Sequence, residues 1–366
     1  MDENELLYQV ALTLVPNIGD VLGRELLQCI PNAQDIFKVS FRQLSAIPGI
    51  GEFRARSIRQ FCDFRRAEEE IVFLRQQQIR PVFFTDKDYP KRLQHCYDAP
   101  LMLYYKGNAD LNHSRIIGIV GTRHCTAHGK ACCEQLVHEL IQDDVLIVSG
   151  LAYGIDICAH KAAIGADIPT IGVVAHGLDR IYPPAHSSIA RQMTVQGGLL
   201  TDFMSGTTPD KQNFPRRNRI VAGLSDAIIV VESGLKGGSL ITAEIANSYS
   251  RDVFAFPGRT SDPKSEGCHF LIRKNKAALI TNAADLREMM GWNEKKISLS
   301  PQRELFLHLS GPEKQIVELF SVQPALHIDE IHFKSRLPAS QMAAAILNLE
   351  LQGVLRTLPG KLYELA

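Results

Sequence analysis

The sequence predicts an α/β protein: a Rossmann-like, doubly wound sheet with a helical domain before it and a winged helix after it. Three observations predict this fold class. Short continuous apolar runs alternate with helical periodicity between about residues 110 and 290, which is typical of βαβ units and a parallel sheet. Residues 1–75 read as short helices that turn at glycine. Residues 303–366 show three helical stretches followed by a hairpin pattern.

Composition places the chain among ordinary globular proteins. Its 366 residues include 45% hydrophobic and 22% charged side chains, which excludes a disordered, collagen-like or coiled-coil chain. The 40 Lys and Arg residues balance 40 Asp and Glu residues. Binding of nucleic acid through bulk positive charge is therefore disfavoured, whereas a local basic site is compatible with this balance. The length indicates two or three domains.

No segment of the sequence has the pattern of a leader or a membrane anchor. The first residues, Met1-Asp2-Glu3-Asn4-Glu5, are acidic rather than basic, and no apolar run reaches the length of about 18 residues that a bilayer requires. The eight cysteines form no C-x-x-C pair, so we expect no zinc or other metal site. These features predict a cytoplasmic protein with reduced, mostly buried thiols and no membrane partner.

The first 75 residues contain a weak repeat that predicts a helix-hairpin-helix or SAM-like domain. A Pro-Asn-Ile-Gly turn at 16–19 precedes a helical stretch at 20–30, and a Pro-Gly-Ile-Gly turn at 48–51 precedes another at 52–64. The turn amides of such units can meet a DNA phosphate. The alternative is a small helical bundle that uses glycine only to turn. Residues 1–80 hold 10 Lys and Arg against 11 Asp and Glu, and this balance slightly favours the bundle.

Residues 76–112 are predicted to be a connector, and residues 113–292 the sheet domain. Apolar runs at 116–120, 145–148, 171–174, 227–231 and 253–256 predict strands that are buried on both faces. Helical periodicity at 127–141, 157–164, 186–196 and 240–250 predicts the helices between them.

A polar stretch at 293–303 predicts a linker to the winged helix at 303–366. Its helices are expected at 312–321, 328–335 and 340–352, and its hairpin turns at Leu358-Pro359-Gly360. The recognition-helix segment 339–345 has no cation, and residues 303–366 hold 6 Lys and Arg against 7 Asp and Glu. We therefore favour a protein-contact or regulatory role for this domain over sequence-specific DNA reading.

Loops rich in glycine and serine follow the predicted strands. Ligands of open α/β sheets bind at the carboxyl ends of the strands. The first strand is followed by Gly121-Thr122-Arg123, and the 227–231 strand leads to Lys236-Gly237-Gly238-Ser239 at the start of a helix. Such loops present free amides to phosphate. None matches G-x-G-x-x-G or a P-loop, so a standard dinucleotide or ATP site is disfavoured.

The most informative segment is 211–219, Lys-Gln-Asn-Phe-Pro-Arg-Arg-Asn-Arg, in which four cations surround Phe214. Arginine binds phosphate through its planar fork, and an exposed Phe can stack on an unpaired base, which is worth about 1–3 kcal/mol. The composition fits a groove for single-stranded nucleic acid. It fits equally a solvated basic loop with Phe214 tucked into the core.

Five motifs follow one another along the sheet domain. They are Val-Gly-Thr-Arg at 120–123, Ser-Gly-Leu-Ala-x-Gly-Ile-Asp-x-x-Ala-His at 149–160, Gly-Leu-Asp-x-x-Tyr-Pro at 177–183, Phe-Pro-x-Arg-Asn-Arg-Ile-x-Ala-Gly-Leu-Ser at 214–225, and Gly-Ser-Leu-Ile-Thr-Ala at 238–243. Together they resemble the DprA (Smf) family, the DNA-processing proteins of natural transformation. The resemblance covers the whole sheet domain and extends more weakly into both flanking domains.

The resemblance implies a protein that binds single-stranded DNA, protects incoming DNA and loads RecA recombinase. It also implies a homodimer that has no enzymatic turnover and needs no cofactor. Carried onto this sequence, it implies a DNA pocket that includes Arg123 and Lys211, with Phe214 as the stacking ring. Arg217 and Arg219 would be phosphate contacts or supports of the pocket. The full set of residues expected to bind DNA is Gly121, Arg123, Lys211, Phe214, Arg217, Asn218, Arg219, Gly237, Gly238 and Ser239.

The chain departs from the family pattern at four places near the loop edges. Tyr153 stands where Arg is usual, Ala175-His176 replaces Gly-Cys, Pro184 replaces a basic residue, and Cys268-His269 replaces Thr-Asn. Each departure changes or removes a polar group without touching the predicted fold. At Tyr153 a stacking contact could replace a charged one.

Two other functions compete with this interpretation. Nucleotide-cleaving enzymes of the LOG type share the Rossmann-like superfamily and hydrolyse the N-glycosidic bond of nucleoside monophosphates. Residues 237–244 are similar to their Gly-Gly-x-Gly-Thr-x-x-Glu motif, with Glu244 as general acid/base, but Ser239-Leu240 breaks the Gly-Thr pair. A sequence-specific regulator would instead use the winged helix, whose recognition helix is uncharged.

Overall fold

The computed structural model describes residues 3–292, 309–320, 325–358 and 361–365. The contacts between residues divide the chain into two compact units, residues 1–292 and 293–366. The predicted linker at 293–303 and the turn residues Pro359-Gly360 lie outside the described residues. Within the part of the chain that is described, no helix is long and apolar enough to cross a membrane.

The N-terminal segment of the first unit is helical, as predicted. Its helices are α1 (Glu3–Leu14), α2 (Asp20–Cys29), α3 (Ala33–Lys38), α4 (Phe41–Ala46), α5 (Gly51–Gln60) and α6 (Arg65–Gln76). The two predicted repeat units correspond to α1–α2 and α4–α5. In the repeat α4–α5, Gly49 and Gly51 adopt φ of +78° and +60°, a conformation that favours glycine. In the repeat α1–α2, the turn residue with positive φ is Asn17, at +65°.

The centre of the first unit is a mainly parallel sheet of nine strands. These are β1 (Arg80–Phe83), β2 (Met102–Gly107), β3 (Ile116–Val120), β4 (Leu146–Ser149), β5 (Thr170–Val173), β6 (Gly198–Thr201), β7 (Ala227–Val230), β8 (Asp252–Ala255) and β9 (Ala278–Leu279). They lie in the order β1-β2-β6-β5-β4-β3-β7-β8-β9. All neighbours from β6 to β9 in this order are parallel. The five predicted strands are β3, β4, β5, β7 and β8, which confirms the doubly wound fold class.

Helices cover both faces of this sheet. They are α7 (Lys91–Gln94), α8 (Ala127–Glu139), α9 (Ile155–Gly165), α10 (Ser187–Gln196), α11 (Asn213–Leu224), α12 (Gly238–Ser248), α13 (Glu266–Arg273) and α14 (Ala283–Met289), with a short 3₁₀ turn at Pro184–His186. Apolar side chains of α11 and α12 pack in the core on one face, and those of α8 and α9 pack on the other. Burial on both faces explains why the central strands read as continuous apolar runs.

The structure differs from the sequence prediction at 76–112. This expected connector contributes β1 and β2, which pair antiparallel with each other and with β6. Successive side chains of a strand point to opposite faces, and β2 serves two cores. Met102 and Tyr104 pack with the N-terminal helices, whereas Leu103 and Tyr105 pack with the sheet. The N-terminal helices and the sheet therefore share a strand and form one unit.

The second unit has the predicted winged-helix elements. They are α15 (Gly311–Leu319), β10 (Ala325–His327), α16 (Ile328–Ser335), α17 (Ala339–Leu351), β11 (Leu355–Leu358) and β12 (Leu362–Leu365). The strands form an antiparallel sheet in the order β10-β12-β11. Ile316 of α15, Ile331 of α16 and Ile346 of α17 meet in its core.

Candidate nucleic-acid interface

A cleft opens where the winding of the sheet reverses. Strand β3 lies between β4 and β7, and both are parallel to it. The chain leaves β3 toward β4 on one side and returns to β7 on the other, so the loops at the carboxyl ends diverge and leave a crevice. The cleft has a volume of about 530 Å³ and is lined by the loops after β3, β4 and β7 and by helix α11.

Nine of the ten residues expected to bind DNA line this cleft. They come from three separate parts of the chain: Gly121 and Arg123 after β3, Lys211, Phe214, Arg217 and Asn218 at the start of α11, and Gly237, Gly238 and Ser239 at the start of α12. The exception is Arg219. The fold thus brings together residues that lie more than 100 positions apart in the chain.

Helix α11 presents one face to the cleft. Phe214, Arg217, Asn218 and Val221 line it, and their spacing of i, i+3, i+4 and i+7 is that of one helix face. No helix was predicted in the segment 211–219, for which a solvated basic loop was one of two interpretations, but from Asn213 onward it is helical. Pro215 is compatible with this because it lies in the first turn, where its missing N–H removes no helical hydrogen bond. The helix orders the basic segment into two faces.

Phe214 forms part of the cleft wall. Its side chain is half-buried, so it is neither tucked into the core nor fully solvated. The Arg123 guanidinium carbon lies 5.1 Å from the centroid of its ring, within the range of a cation–π contact. Arg123 itself is exposed. An exposed cation and an aromatic ring are therefore adjacent at the cleft.

Arg217 lies on the floor of the cleft rather than at its surface. It is buried, and its Nη1 donates a hydrogen bond to the Val173 carbonyl. A side chain at Gly150 would come within 2.3 Å of Arg217 Nη1 and 2.4 Å of Asp156 Oδ2, so glycine allows both charged groups to approach this loop. Burial raises the pKa of Asp156 and lowers that of Arg217, and the opposite charge of each opposes the other's shift. Arg217 supports the cleft.

Arg219 is placed away from the cleft, which corrects its assignment as a DNA-binding residue. Its Nη2 donates to Asp20 Oδ2 at 2.8 Å and to Asp202 Oδ2 at 2.9 Å, and its Nη1 donates to the Asp98 carbonyl. Burial opposes its charge, yet the two carboxylates raise its pKa. Two residues along a helix correspond to a rotation of about 200°. The Arg219 side chain therefore points to the N-terminal helices, whereas the Arg217 side chain points to the cleft.

Several residues of the cleft were not predicted. Lys236 is exposed at its rim, and Thr122, His124, Asp156, Ile241 and Thr242 also line it. Lys236 directly precedes Gly237-Gly238-Ser239, so its position beside a predicted phosphate loop was the available signal. Among the residues that the structure describes, Arg123, Lys211 and Lys236 are the exposed Lys and Arg side chains of the cleft.

His160 holds the loop that follows β4. Its Nε2 lies 2.6 Å from Gly150 O, and because a carbonyl only accepts, Nε2 carries the proton. Nδ1 lies 2.7 Å from the Thr170 hydroxyl, which also lies 3.1 Å from Ile147 O. Burial lowers the pKa of His160 to about 4, although the hydrogen bond to Gly150 opposes the shift. The ring is therefore neutral in the folded protein at pH 7.

Acidification should destabilise the first unit through His160. An unfolded histidine has a pKa of about 6.5, so between about pH 6.5 and 4 the unfolded chain binds a proton that the folded chain does not. His160 alone should thus lower the free energy of unfolding by roughly 2–3 kcal/mol from pH 7 to pH 4. Urea unfolding across this range measures it. His160→Gln should flatten the pH slope, whereas the exposed control His95→Gln should keep it; equal slopes in all three proteins would contradict the assignment.

Comparison with known families agrees with this architecture. The family model "DNA recombination-mediator protein A" matches residues 80–291, and the model "DprA winged helix domain" matches residues 301–361. The first match covers more than half of the chain. Protein Smf of Synechocystis sp. is 32% identical over the whole length of both chains.

Two solved structures are similar to this chain. DNA processing protein A of Streptococcus pneumoniae is 33% identical and superposes with a TM-score of 0.66, covering 78% of this chain and 97% of that one. The structure of DNA processing protein A from Helicobacter pylori, which concerns the single-stranded DNA binding mode of that protein, is 30% identical with a TM-score of 0.54 and covers 59% and 96%. The chain belongs to the DprA/Smf family of DNA-processing proteins.

Proposed function

We propose that this chain binds single-stranded DNA in the cleft at the switch point of the sheet. The observation that carries the proposal is the ring of Phe214, half-buried in the cleft wall under Arg123, with Lys211 and Lys236 at the same opening. Cations that follow a backbone beside an aromatic ring are typical of single-strand sites. The binding mode of the Helicobacter pylori relative supports the same ligand class.

Single-stranded DNA fits this cleft better than a duplex. A base can stack on Phe214 only when its face is free, and in a duplex both faces are covered by neighbouring bases. The net charge of the chain is zero, so it lacks the surplus of positive charge that duplex binding uses. Three exposed cations around one ring are sufficient for a few nucleotides of a single strand.

The wider role that we propose follows from family membership. The chain would protect incoming DNA and load RecA recombinase during natural transformation, acting as a homodimer without enzymatic turnover or a cofactor. A strand that lies in the cleft would be protected, because a nuclease needs access to the same phosphates. Loading of RecA and dimerisation rest on the family and not on a feature of the cleft.

The position of Glu244 argues against the competing hydrolase. Its carboxylate oxygens lie 2.6 Å and 2.8 Å from Lys276 Nζ, and Glu244 is not among the residues that line the cleft. A general acid/base must reach the bond that it cleaves. Glu244 is instead paired with Lys276 outside the cleft, away from any bond that a bound nucleotide would present.

Fluorescence anisotropy distinguishes the ligand classes. Oligo-dT, a matched duplex and AMP are titrated across a salt series. We expect preference for oligo-dT and, with three phosphates neutralised, a slope of log affinity against log salt of about −2, because each phosphate contributes about −0.7 for single strands. Equal affinity for the duplex, or hydrolysis of AMP at enzymatic rates, would refute the proposal.

A further inference from the structure

A second aromatic surface lies beside the cleft. It borders a recess that shares Arg123, Phe214 and Arg217 with the cleft and is also lined by Tyr153, His176 and Tyr182. The side chains of Tyr153 and Tyr182 are 49% and 45% exposed. Two half-exposed rings thus stand next to Phe214, and the proposed DNA site does not yet use them.

Buried histidines contact both tyrosines, one at the backbone of Tyr182 and the other at the ring of Tyr153. His176 Nδ1 lies 2.9 Å from Gly177 O and donates to it, so its Nε2 accepts from the Tyr182 backbone N–H at 3.2 Å. The ring of His186 meets the ring of Tyr153 edge-on, with centroids 4.8 Å apart, and His186 Nδ1 is fixed by Leu151 O at 2.8 Å. The Tyr153 ring, which packs against a fixed His186 ring, therefore loses little conformational entropy when a ligand stacks on it.

The size of the recess shows how a ligand would lie. Its volume is about 40 Å³, which is too small to enclose a nucleobase. The rings of Tyr182 and Phe214 are 6.5 Å apart and inclined by 49°, so they do not form a parallel slot for one base between them. They present separate faces, and a ligand ring would lie on the exposed tyrosine faces at the rim.

The charge of this surface suits a nucleic-acid strand. The charged side chains that line the recess are Arg123 and Arg217, and no carboxylate is among its described lining residues. Arg123 borders both the recess and the cleft. A phosphate bound there connects a base on Phe214 to a neighbouring base without crossing a negatively charged region.

We propose that Tyr153 and Tyr182 form a second stacking platform for another unpaired base of the strand that occupies the cleft. The strand passes Arg123 between the two stacking sites. This inference rests on the proposed binding of single-stranded DNA. It adds two residues to the site and extends the length of strand that one protein molecule covers.

A strand with few bases tests the platform without ambiguity of register. The ligands are abasic oligodeoxynucleotides that carry either one thymine or two thymines at varied spacing, titrated at constant salt. For the wild-type protein we expect one spacing at which the second thymine raises affinity by at least about five-fold, as expected for one stacked base. The double variant Tyr153→Ala, Tyr182→Ala should lose this gain and keep its affinity for the single thymine.

Two controls separate stacking from other effects. Tyr97→Ala removes a tyrosine that is 67% exposed and does not line either the cleft or the recess, and it should keep the five-fold gain. Tyr153→Phe, Tyr182→Phe retains the rings and should keep the gain as well, which assigns the gain to the rings and not to the hydroxyls. The retained affinity of the alanine double variant for the single thymine excludes a fault in folding as the cause of the loss.

Each outcome decides between the two proposals. A gain that persists in the alanine double variant, or that is absent from the wild-type protein at every spacing, overturns the platform and leaves the binding of single strands intact. A wild-type protein that fails to bind even the all-thymine strand overturns both proposals. Loss of the gain in the alanine double variant alone supports the platform.

Discussion

Replacing Arg219 by alanine is expected to lower the free energy of unfolding of the first unit by about 3–5 kcal/mol at pH 7. The side chain of Arg219 is 10% exposed, and that of Asp202, to which it is bonded, is 3% exposed. Its removal takes away the hydrogen-bonded and nearest positive charge of a buried carboxylate, and leaves only Arg216 at 3.9 Å. Urea unfolding followed by the fluorescence of Trp292, the one tryptophan of the chain, measures the change.

The pH dependence of this loss has a definite sign. Burial already raises the pKa of Asp202, against the influence of Arg219, and without Arg219 the pKa should rise further. A carboxyl group whose folded pKa exceeds its unfolded value favours the folded state at low pH and disfavours it as the pH rises. The destabilisation by Arg219→Ala should therefore be smaller at pH 5 than at pH 7.

Arg216→Ala is the matched control for this prediction. Arg216 belongs to the same helix, but its side chain is 59% exposed and lies 3.9 Å from Asp202 Oδ2. Because the Arg216 guanidinium stays solvated and makes no hydrogen bond to Asp202 at this distance, we expect the contact to contribute about 1 kcal/mol at most. If Arg216→Ala and Arg219→Ala destabilised the protein equally, the assignment of Arg219 to a buried ion cluster would be wrong.

Replacing Arg123 by alanine is expected to weaken the binding of oligo-dT by about 2–3 kcal/mol. In contrast to Arg219→Ala, it should leave the free energy of unfolding unchanged. Arg123 is exposed, so the fold does not depend on it. Its loss removes a charge-assisted contact to phosphate and the cation against Phe214. Anisotropy titrations at several salt concentrations should also show a salt slope that is shallower by about 0.7.

The two arginine substitutions form a crossed experiment. Arg219→Ala, measured at a temperature where it remains folded, should bind oligo-dT about as tightly as the wild type, because Arg219 does not line the cleft. Arg216→Ala should leave both affinity and stability nearly unchanged. An unaltered affinity of Arg123→Ala for oligo-dT would show that the strand lies elsewhere on the protein.

Elements buried on both faces were predictable from the sequence. Strands β3, β4, β5, β7 and β8 are continuous apolar runs because helices cover both sides of them. Strand β2 was less visible, since its alternate side chains enter two different cores. Strand β6 is a four-residue strand that begins at Gly198, and its pairing with β2 and β5 comes from distant parts of the chain.

The composition of the site was also visible in the sequence, but not its geometry. The basic segment around Phe214 and the glycine loops were identified by residue type, and nine of the ten predicted residues meet in one cleft. Lys236 was noted as part of one of these loops but was not counted among the residues expected to bind DNA. The tyrosine platform was not predictable as a unit, because Tyr153 and Tyr182 are brought beside Phe214 only by the packing of the loops after β4 and β5.

Arg217 and Arg219 show where the sequence alone reaches its limit. By itself the sequence determined the fold class, the order of the units and the residue types of the site, because periodicity and local composition record burial and charge. The two arginines occupy one motif and are equivalent by composition. Only the tertiary structure decided that Arg217 lies under the cleft and that Arg219 binds Asp20 and Asp202. The physical reason is that side chains two residues apart on a helix point to nearly opposite faces. Segments that are distant in the sequence then determine what each face contacts.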